Sequence, residues 1–418
     1  MISFVRMLRR VERFIPVDEA LELLLRHVDF LGAEEIEASK ALGRVLAEDI
    51  HADGDYPPYD ASHMDGFALN HRDTVRASPE NPVKLKVIGH VTAGKRPEPR
   101  LKPGSALRIL TGAYLPEGAD CVVPQEEVET IDGGYIMVKR PVKPGENIDP
   151  AAGDVKRGEL VLKRGRVLKP IDVAFLHHLR RWRVKVAKRP RVGLLVVGDE
   201  LTDSTTEAAE GRVFNTHRLL IEPLTSQLGC EVNYLGIVGD DPTAVANKLE
   251  ESITRFDALL TIGGSSVSER DATYLALTKL DADVFVQGLK LQPGRVGGFA
   301  VVGGRPVILL PGLVLSTVNV FIFLAYPMLR KMLGREPKHY ESRIRATLQD
   351  EVRFSKWVDF KKVVWVGLRE EDGEYICYPN LGESSRMKIL ANSGGYILVG
   401  EHVAKINKGE KVLVHMLG

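Results

Sequence analysis

RVGLLVVG (191–198), CEVNYLGIV (230–238), FDALLTIGG (256–264), ADVFVQGL (282–289) and RPVILLPG (305–312) decide how this chain folds. Each is a short apolar run of the kind found in strands buried on both faces, and most are followed by a stretch of helix length. Strand and helix in alternation predict an α/β unit with a mainly parallel sheet. In such sheets ligands bind beyond the carboxyl ends of the strands, which directs attention to the loops opening at Gly198, Gly263 and Pro311.

The last of these strands runs into the uncharged segment PVILLPGLVLSTVNVFIFLAYPML (306–329), long enough to cross a bilayer. Pro311 and Gly312 cut it. It reads as strand, turn and buried helix, and no membrane association is expected. Beyond it, VVWVGL, YICYP, GYILV and KVLVHML are short strands with little helix between them, the pattern of a small β-barrel-like domain over 335–418.

Upstream, Pro16, Asp18 and Glu19 open a first helix with Leu21, Leu24 and Val28 on one face, and ALGRVLAEDI (41–50) predicts a second. From 51 to 149 Pro and Gly punctuate short alternating runs such as VKLKVIGHV and YIMVKRPV, an all-β module. GELVLKRGRVLKPIDVAFLHHL (158–179) returns to helical spacing. The expected class is therefore α/β plus β in several domains. A discontinuous mainly helical domain (1–50 and 150–187) is interrupted by the inserted β domain (51–149), and a central three-layer α/β domain (188–334) and the barrel follow.

Composition excludes several classes. Apolar residues make up 44% and charged residues 27% of the 418 positions, too apolar for disorder. Lys and Arg number 57 against 56 Asp and Glu, so no global field attracts nucleic acid. The basic run LRRWRVKVAKRPR (179–191) alternates as a strand with one charged face and has no aromatic cluster for base stacking. Cys121, Cys230 and Cys377 show no spacing for zinc or a disulfide framework. The start, MISFVRMLRRVERF, carries charge where a signal peptide needs an apolar core, so a cytoplasmic location is expected.

Chemistry is expected where loops can hold anions. TIGGSSVSERD (261–271) follows a strand and opens a helix, whose free amides and dipole favour negative charge on a ligand near Gly263, Gly264, Ser265 and Ser266. In LKLQPGR (289–295) Lys290 and Arg295 flank a Pro-Gly turn and could supply countercharge. Acids recur at Gly-adjacent turns: Asp65, Asp154, Asp199, Glu200, Asp240, Asp241 and Asp271. Carboxylates at strand ends can hold a magnesium ion against a phosphate or orient water, although each alone is also an ordinary turn former.

ALGRVLAEDIHADGDYPPYDASHMDGFAL (41–69) and ILTGAYLPEGADCVVPQEEV (109–128), followed in order by VVGDEL, GRVFNTHRLL, GDDP, GGSSVSERD and VILLPG, resemble the molybdopterin molybdenumtransferase family over nearly the whole chain. The resemblance implies a discontinuous helical domain, an inserted β domain, a central α/β domain and a C-terminal barrel. It implies binding of adenylylated molybdopterin, cleavage of its phosphoanhydride with release of AMP, and placement of molybdate or tungstate on the dithiolene, with Mg2+ taking part. By motif position it implies catalytic roles for Asp65, Glu200, Asp241 and Asp271, with Asp240 the alternative to Asp241. Metal contacts would come from Asp65, Asp154, Glu200 and Asp271. Substrate contacts would come from Thr111, the Gly263–Ser266 loop, Lys290, Arg295, Pro311, Gly312 and Ser316. A homodimer with the site between subunits is implied, and a molybdopterin adenylyltransferase as partner.

Four segments depart from the family pattern, one of them GGSSVSERD, with Ser268 where Gly is usual. LPGLVLS (310–316) has Leu313 and Val314 where Asn and Pro are usual, and QPGR has Gln292 and Arg295 where Lys is usual. SKWVDF (355–360) lacks the usual Gly-Arg before Asp-Phe. These departures keep open a second reading, a non-catalytic scaffold on the same fold, as in the related domain of gephyrin.

Overall fold

The computed structural model describes residues 8–9, 14–95, 100–264, 271–339 and 342–416. Strand β1 (Leu8–Arg9) and helix α1 (Val17–Leu25) open it, α1 starting after Pro16 as its first-turn acids suggest. The buried residues of α1, Val17, Ala20 and Leu24, join the core of the α/β sheet.

The expected second helix does not form. Gly43 takes a left-handed φ of +74°, while Val45 bridges to Val167 and Leu46 to Val186. Helical spacing in ALGRVLAEDI is thus overridden by pairing with residues more than a hundred positions away. β2 (Ala33–Glu37) is likewise paired in register with a strand at Arg183–Ala187, so the segments on either side of the β module are stitched together by backbone hydrogen bonds.

The module itself is a six-stranded sheet of β3 (Gly66–Leu69), β4 (Val83–Val91), β5 (Ser105–Ile109), β6 (Cys121–Pro124), β7 (Val128–Ile131) and β8 (Tyr135–Val138), in the order β6-β3-β5-β4-β8-β7. Its two faces carry separate apolar clusters. Gly66 is obligatory on β3, because any Cβ there would collide with the Val123 carbonyl on β6. After the module come α2 (Pro170–His178), with Pro at its first turn, and β9 (Arg183–Ala187), whose alternating burial confirms a strand with one charged face.

The α/β domain contains β10 (Arg191–Val197), α3 (Thr216–Gln227), β11 (Glu231–Val238), α4 (Pro242–Ile253), β12 (Ala258–Gly263), α5 (Ala272–Lys279), β13 (Val284–Gln287), β14 (Gly298–Val302) and β15 (Arg305–Leu310). The sheet order is β1-β13-β14-β15-β12-β10-β11. β11, β10, β12 and β15 are mutually parallel, as the apolar runs predict. β14 is not anticipated from the sequence. It lies antiparallel to both β13 and β15, so the sheet is mixed at this side. α4 and α5 cover one face; α1, α3 and the helix after β15 cover the other.

That last helix comprises α6 (Val314–Val320), a π turn (Phe321–Ala325) and α7 (Tyr326–Met332), almost wholly buried. No helix among the described residues is long and apolar enough to cross a membrane. The chain ends in a closed five-stranded barrel of β16 (Arg343–Leu348), β17 (Lys361–Glu371), β18 (Glu374–Pro379), β19 (Gly395–Val399) and β20 (Lys411–Met416), closed by the β17–β19 pairing. Val363, Trp365 and Tyr396 of its wall belong to the same apolar cluster as α1, α6 and α7.

Candidate active site

A cleft of about 460 Å³ opens at the carboxyl ends of β10 and β12 and is lined by Glu200, Asp240, Asp271, Gly263, Gly264 and Gly312 among others. Parallel strands bring their following loops to one edge, so the topology alone explains why residues far apart in sequence meet here. The loops after β10 and β11 are tied reciprocally. The Asp199 amide donates to the Asp240 carboxylate at 3.3 Å, and the Asp240 amide donates to the Asp199 carboxylate at 3.1 Å. Gly239 permits this approach, since a Cβ there would strike the Asp199 carboxylate.

Asp241, one of the expected catalytic acids, is instead the N-cap of α4, accepting from the amides of Thr243 and Ala244. Of the adjacent pair, Asp240 faces the cleft. Asp271 has a second duty. It is 3% exposed, caps α5 by accepting the Tyr274 amide at 2.8 Å, and accepts from the Gln287 side chain at 2.7 Å. Its position after a turn suggests a solvated loop residue, but the cap and the Gln287 amide bury it.

Two further cleft residues escape the sequence reading. Asn215, at 1% exposure, caps α3, and His217 in the first turn of the same helix lines the cavity. A polar residue inside an apolar strand, Gln287 in VFVQ, was the one available signal for the buried amide that holds Asp271.

Other expected site residues lie elsewhere on the chain. Thr111 donates to Asp65 from both its amide and its hydroxyl, each at 2.7 Å, and these bonds hold the Asp65 carboxyl below the usual carboxylate range. Asp154 lies 3.5 Å from the His178 imidazole and lines a second hollow, of about 510 Å³, with Tyr59, Gly112 and Asp149. The four acids implied as metal contacts thus do not converge within one chain, and among the described residues no three His, Cys, Asp or Glu side chains are grouped to hold a metal.

Lys290 and Arg295 turn toward the barrel. Lys290 pairs with Asp359 at 3.2 Å, and the Arg295 guanidinium stacks 4.2 Å over Trp357. Lys361 reaches Asp18, and the buried Lys362 is satisfied by the carbonyls of Val358 and Phe360, so of the cations near SKWVDF these two are engaged. Pro311 accepts a hydrogen bond from the Thr317 hydroxyl at the start of α6, and Ser316 is buried there, while Leu313 is half exposed. Ser265, Ser266 and Ser268 lie outside the described residues.

Three family models cover the chain: the MoeA N-terminal region (domain I and II) over residues 15–179, a probable molybdopterin binding domain over 193–331, and the MoeA C-terminal region (domain IV) over 345–417. A molybdopterin molybdenumtransferase of Bacillus subtilis is 30% identical, with 96% of this chain and 94% of that protein aligned. The chain belongs to the molybdopterin molybdenumtransferase family. A Staphylococcus aureus family member is 31% identical over 84% of this chain and 83% of its own. Two solved structures of the molybdopterin biosynthesis MoeA protein from Pyrococcus horikoshii superpose with TM-scores of 0.83 and 0.80 at 31% and 30% identity, covering 97% of this chain and 100% of theirs. Within the family frame, the cleft at β10 and β12 lies in the segment matched by the molybdopterin binding model, whereas Asp65, Thr111 and Asp154 lie in the N-terminal one.

Proposed function

We infer that this protein is a molybdopterin molybdenumtransferase, acting on adenylylated molybdopterin with release of AMP. The observation that carries the reading is the strand-end cleft, where Glu200 and Asp240 stand beside the Gly263–Gly264 turn and the start of α6 at Gly312. The dipole of the buried helix that starts there favours an anion, and the carboxylates supply charge for chemistry beside it.

A magnesium ion fits this donor set. Such ions are commonly held by one or two carboxylates together with substrate phosphates, so a cage of three protein ligands is not required. Glu200 and Asp240 would hold it, since both oxygens of Asp271 already accept hydrogen bonds, and it would neutralise charge on the phosphoanhydride. The chain's own groups do the rest. The reciprocal Asp199–Asp240 tie fixes the loop, and Gln287 keeps Asp271 oriented by donating to it.

Asp65, Thr111 and Asp154 form a second chemical surface that does not meet the first within one chain. A homodimer, in which one subunit's β module closes the other's cleft, accounts for both. In this reading the protein works in the cytoplasm, receives its substrate from a molybdopterin adenylyltransferase, and takes molybdate or, equally by charge and shape, tungstate.

The test is AMP release from adenylylated molybdopterin in the presence of molybdate and magnesium, measured for the wild type and for Glu200→Gln and Asp240→Asn. Loss of at least about a hundredfold in both variants is expected, on the scale of removing one electrostatic contact to a transition state. Wild-type turnover in both would overturn the assignment.

A further inference from the structure

Around the start of α3 the polar groups are mutually satisfied. The Asn215 side chain accepts the Arg218 amide at 3.4 Å and donates to Asp203 and to the Tyr234 hydroxyl, each at 3.1 Å. The Tyr234 hydroxyl donates to Asp203 at 2.6 Å, and the Arg218 guanidinium lies 3.9 Å over the Tyr234 ring. This network clamps the first turn of α3 in place. His217 stands on that turn, lines the cleft, and has a buried Nε2 with no hydrogen-bond partner among the described residues. A buried, unsatisfied ring nitrogen is destabilising, a cost a rigid turn sustains when something else completes the bond.

The rest of the lining says what that is. Val197, Leu201, Val213 and Ile262 give apolar walls, while of the polar side chains Glu200, Asp240 and Asp271 are carboxylates and the Asn215 amide already donates to Asp203 and Tyr234. Apolar walls with a few polar side chains suit a flat heteroaromatic ring whose edge carries both donors and acceptors. The carboxylates can only accept, so an acceptor on the ring edge needs a donor from elsewhere. Burial holds His217 below the usual imidazole pKa, leaving a neutral ring that can donate from Nε2 without adding charge.

We propose that His217 is a specificity-determining contact of the cleft, its Nε2 hydrogen-bonding an acceptor on the edge of the pterin ring. The proposal rests on the cleft being the pterin site, as inferred above.

The experiment is calorimetric titration of the full chain with 6-hydroxymethylpterin, using wild type, His217→Phe and His217→Gln, with thermal unfolding as a check of folding. His217→Phe keeps the bulk and removes the polar atom, and Kd should rise about tenfold, the equivalent of one hydrogen bond. His217→Gln restores a side-chain donor and should stay within about threefold of wild type. Should His217→Phe fail to fold, His217→Leu takes its place against the same Gln rescue. Equal affinity in wild type and the apolar variant overturns the proposal, as does equal weakening in the apolar and Gln variants. Absence of pterin binding to the wild type overturns the pterin reading itself, a result distinct from either of these.

Discussion

The two acidic regions of this molecule are built differently. At the strand ends of the α/β sheet, Asp271 is buried, caps a helix and takes a hydrogen bond from a buried amide. On the inserted β module, Asp65 lies at the surface and is held by one threonine. Loss of Asp271 therefore disturbs the fold as well as any chemistry, whereas Asp65 is structurally dispensable. The difference teaches that a stability measurement can separate the two regions before any turnover is measured.

Asp271→Ala gives the largest expected effect. It removes the cap of α5, worth about 0.5–2 kcal/mol, and leaves the Gln287 amide buried without its acceptor, about 1–3 kcal/mol. Denaturant unfolding should show a loss of about 2–4 kcal/mol on those terms. A loss below about 0.5 kcal/mol, the level of an ordinary surface change, would mean that the region is no more structural than the β module.

Leu313→Asn tests the same edge of the sheet in the opposite direction. Leu313 is the N-cap of α6 and makes no side-chain cap bond, while half of it faces solvent. An Asn there should raise stability by about 1 kcal/mol, read as a higher denaturation midpoint at unchanged slope. Adding Val314→Pro suits the first helical position but removes a buried valine, so the pair should gain less than Asn alone. Any tightening of pterin binding by the pair, up to about tenfold, would be a separate gain read by calorimetry.

Asp65→Asn should leave the denaturation midpoint unchanged at neutral pH, as an ordinary surface substitution does, while turnover collapses. The sign of its pH dependence follows from the lowered pKa. The contribution of the Thr111 contact is fully present above the ordinary value of 3.8 and disappears as pH falls through the lower folded-state value. A titration of Asp65 by carboxyl NMR checks the cause: Thr111→Ala should raise the pKa only part of the way toward 3.8, because it removes the hydroxyl and keeps the amide that also donates. An unchanged pKa in that variant would remove the Thr111 hydroxyl as a source.

The strands of the α/β sheet were legible because continuous Val, Ile and Leu runs have few other uses in a soluble chain. β14 was not, since GGFAVVGG is short and enclosed by glycines. ALGRVLAEDI misled because helical spacing is a local signal, and the pairing of Val45 and Leu46 with distant partners is not local. At the site, Glu200, Asp271 and the Gly263–Gly264 turn could be placed from strand-end logic. The choice between Asp240 and Asp241 could not, because it depends on which carboxylate the next helix takes as its cap. Lys290 and Arg295 looked like countercharges for an anion, and only the packing of the barrel against the sheet reveals Asp359 and Trp357 beside them.

The long buried helix that carries the π turn at Phe321–Ala325 is a register-sensitive shaft between two parts of the protein. A π turn takes up one extra residue while the helix on either side keeps its phase, whereas in an α-helical turn each residue advances the helix by about 1.5 Å and turns it by about 100°. Deleting a single residue from the α-helical stretches would leave the loop at Pro311 in place. It would rotate everything beyond the deletion, presenting α1 and the barrel wall with the wrong side chains. Related chains should therefore tolerate substitutions along this helix far better than insertions or deletions, and length, more than composition, is what this stretch has to preserve.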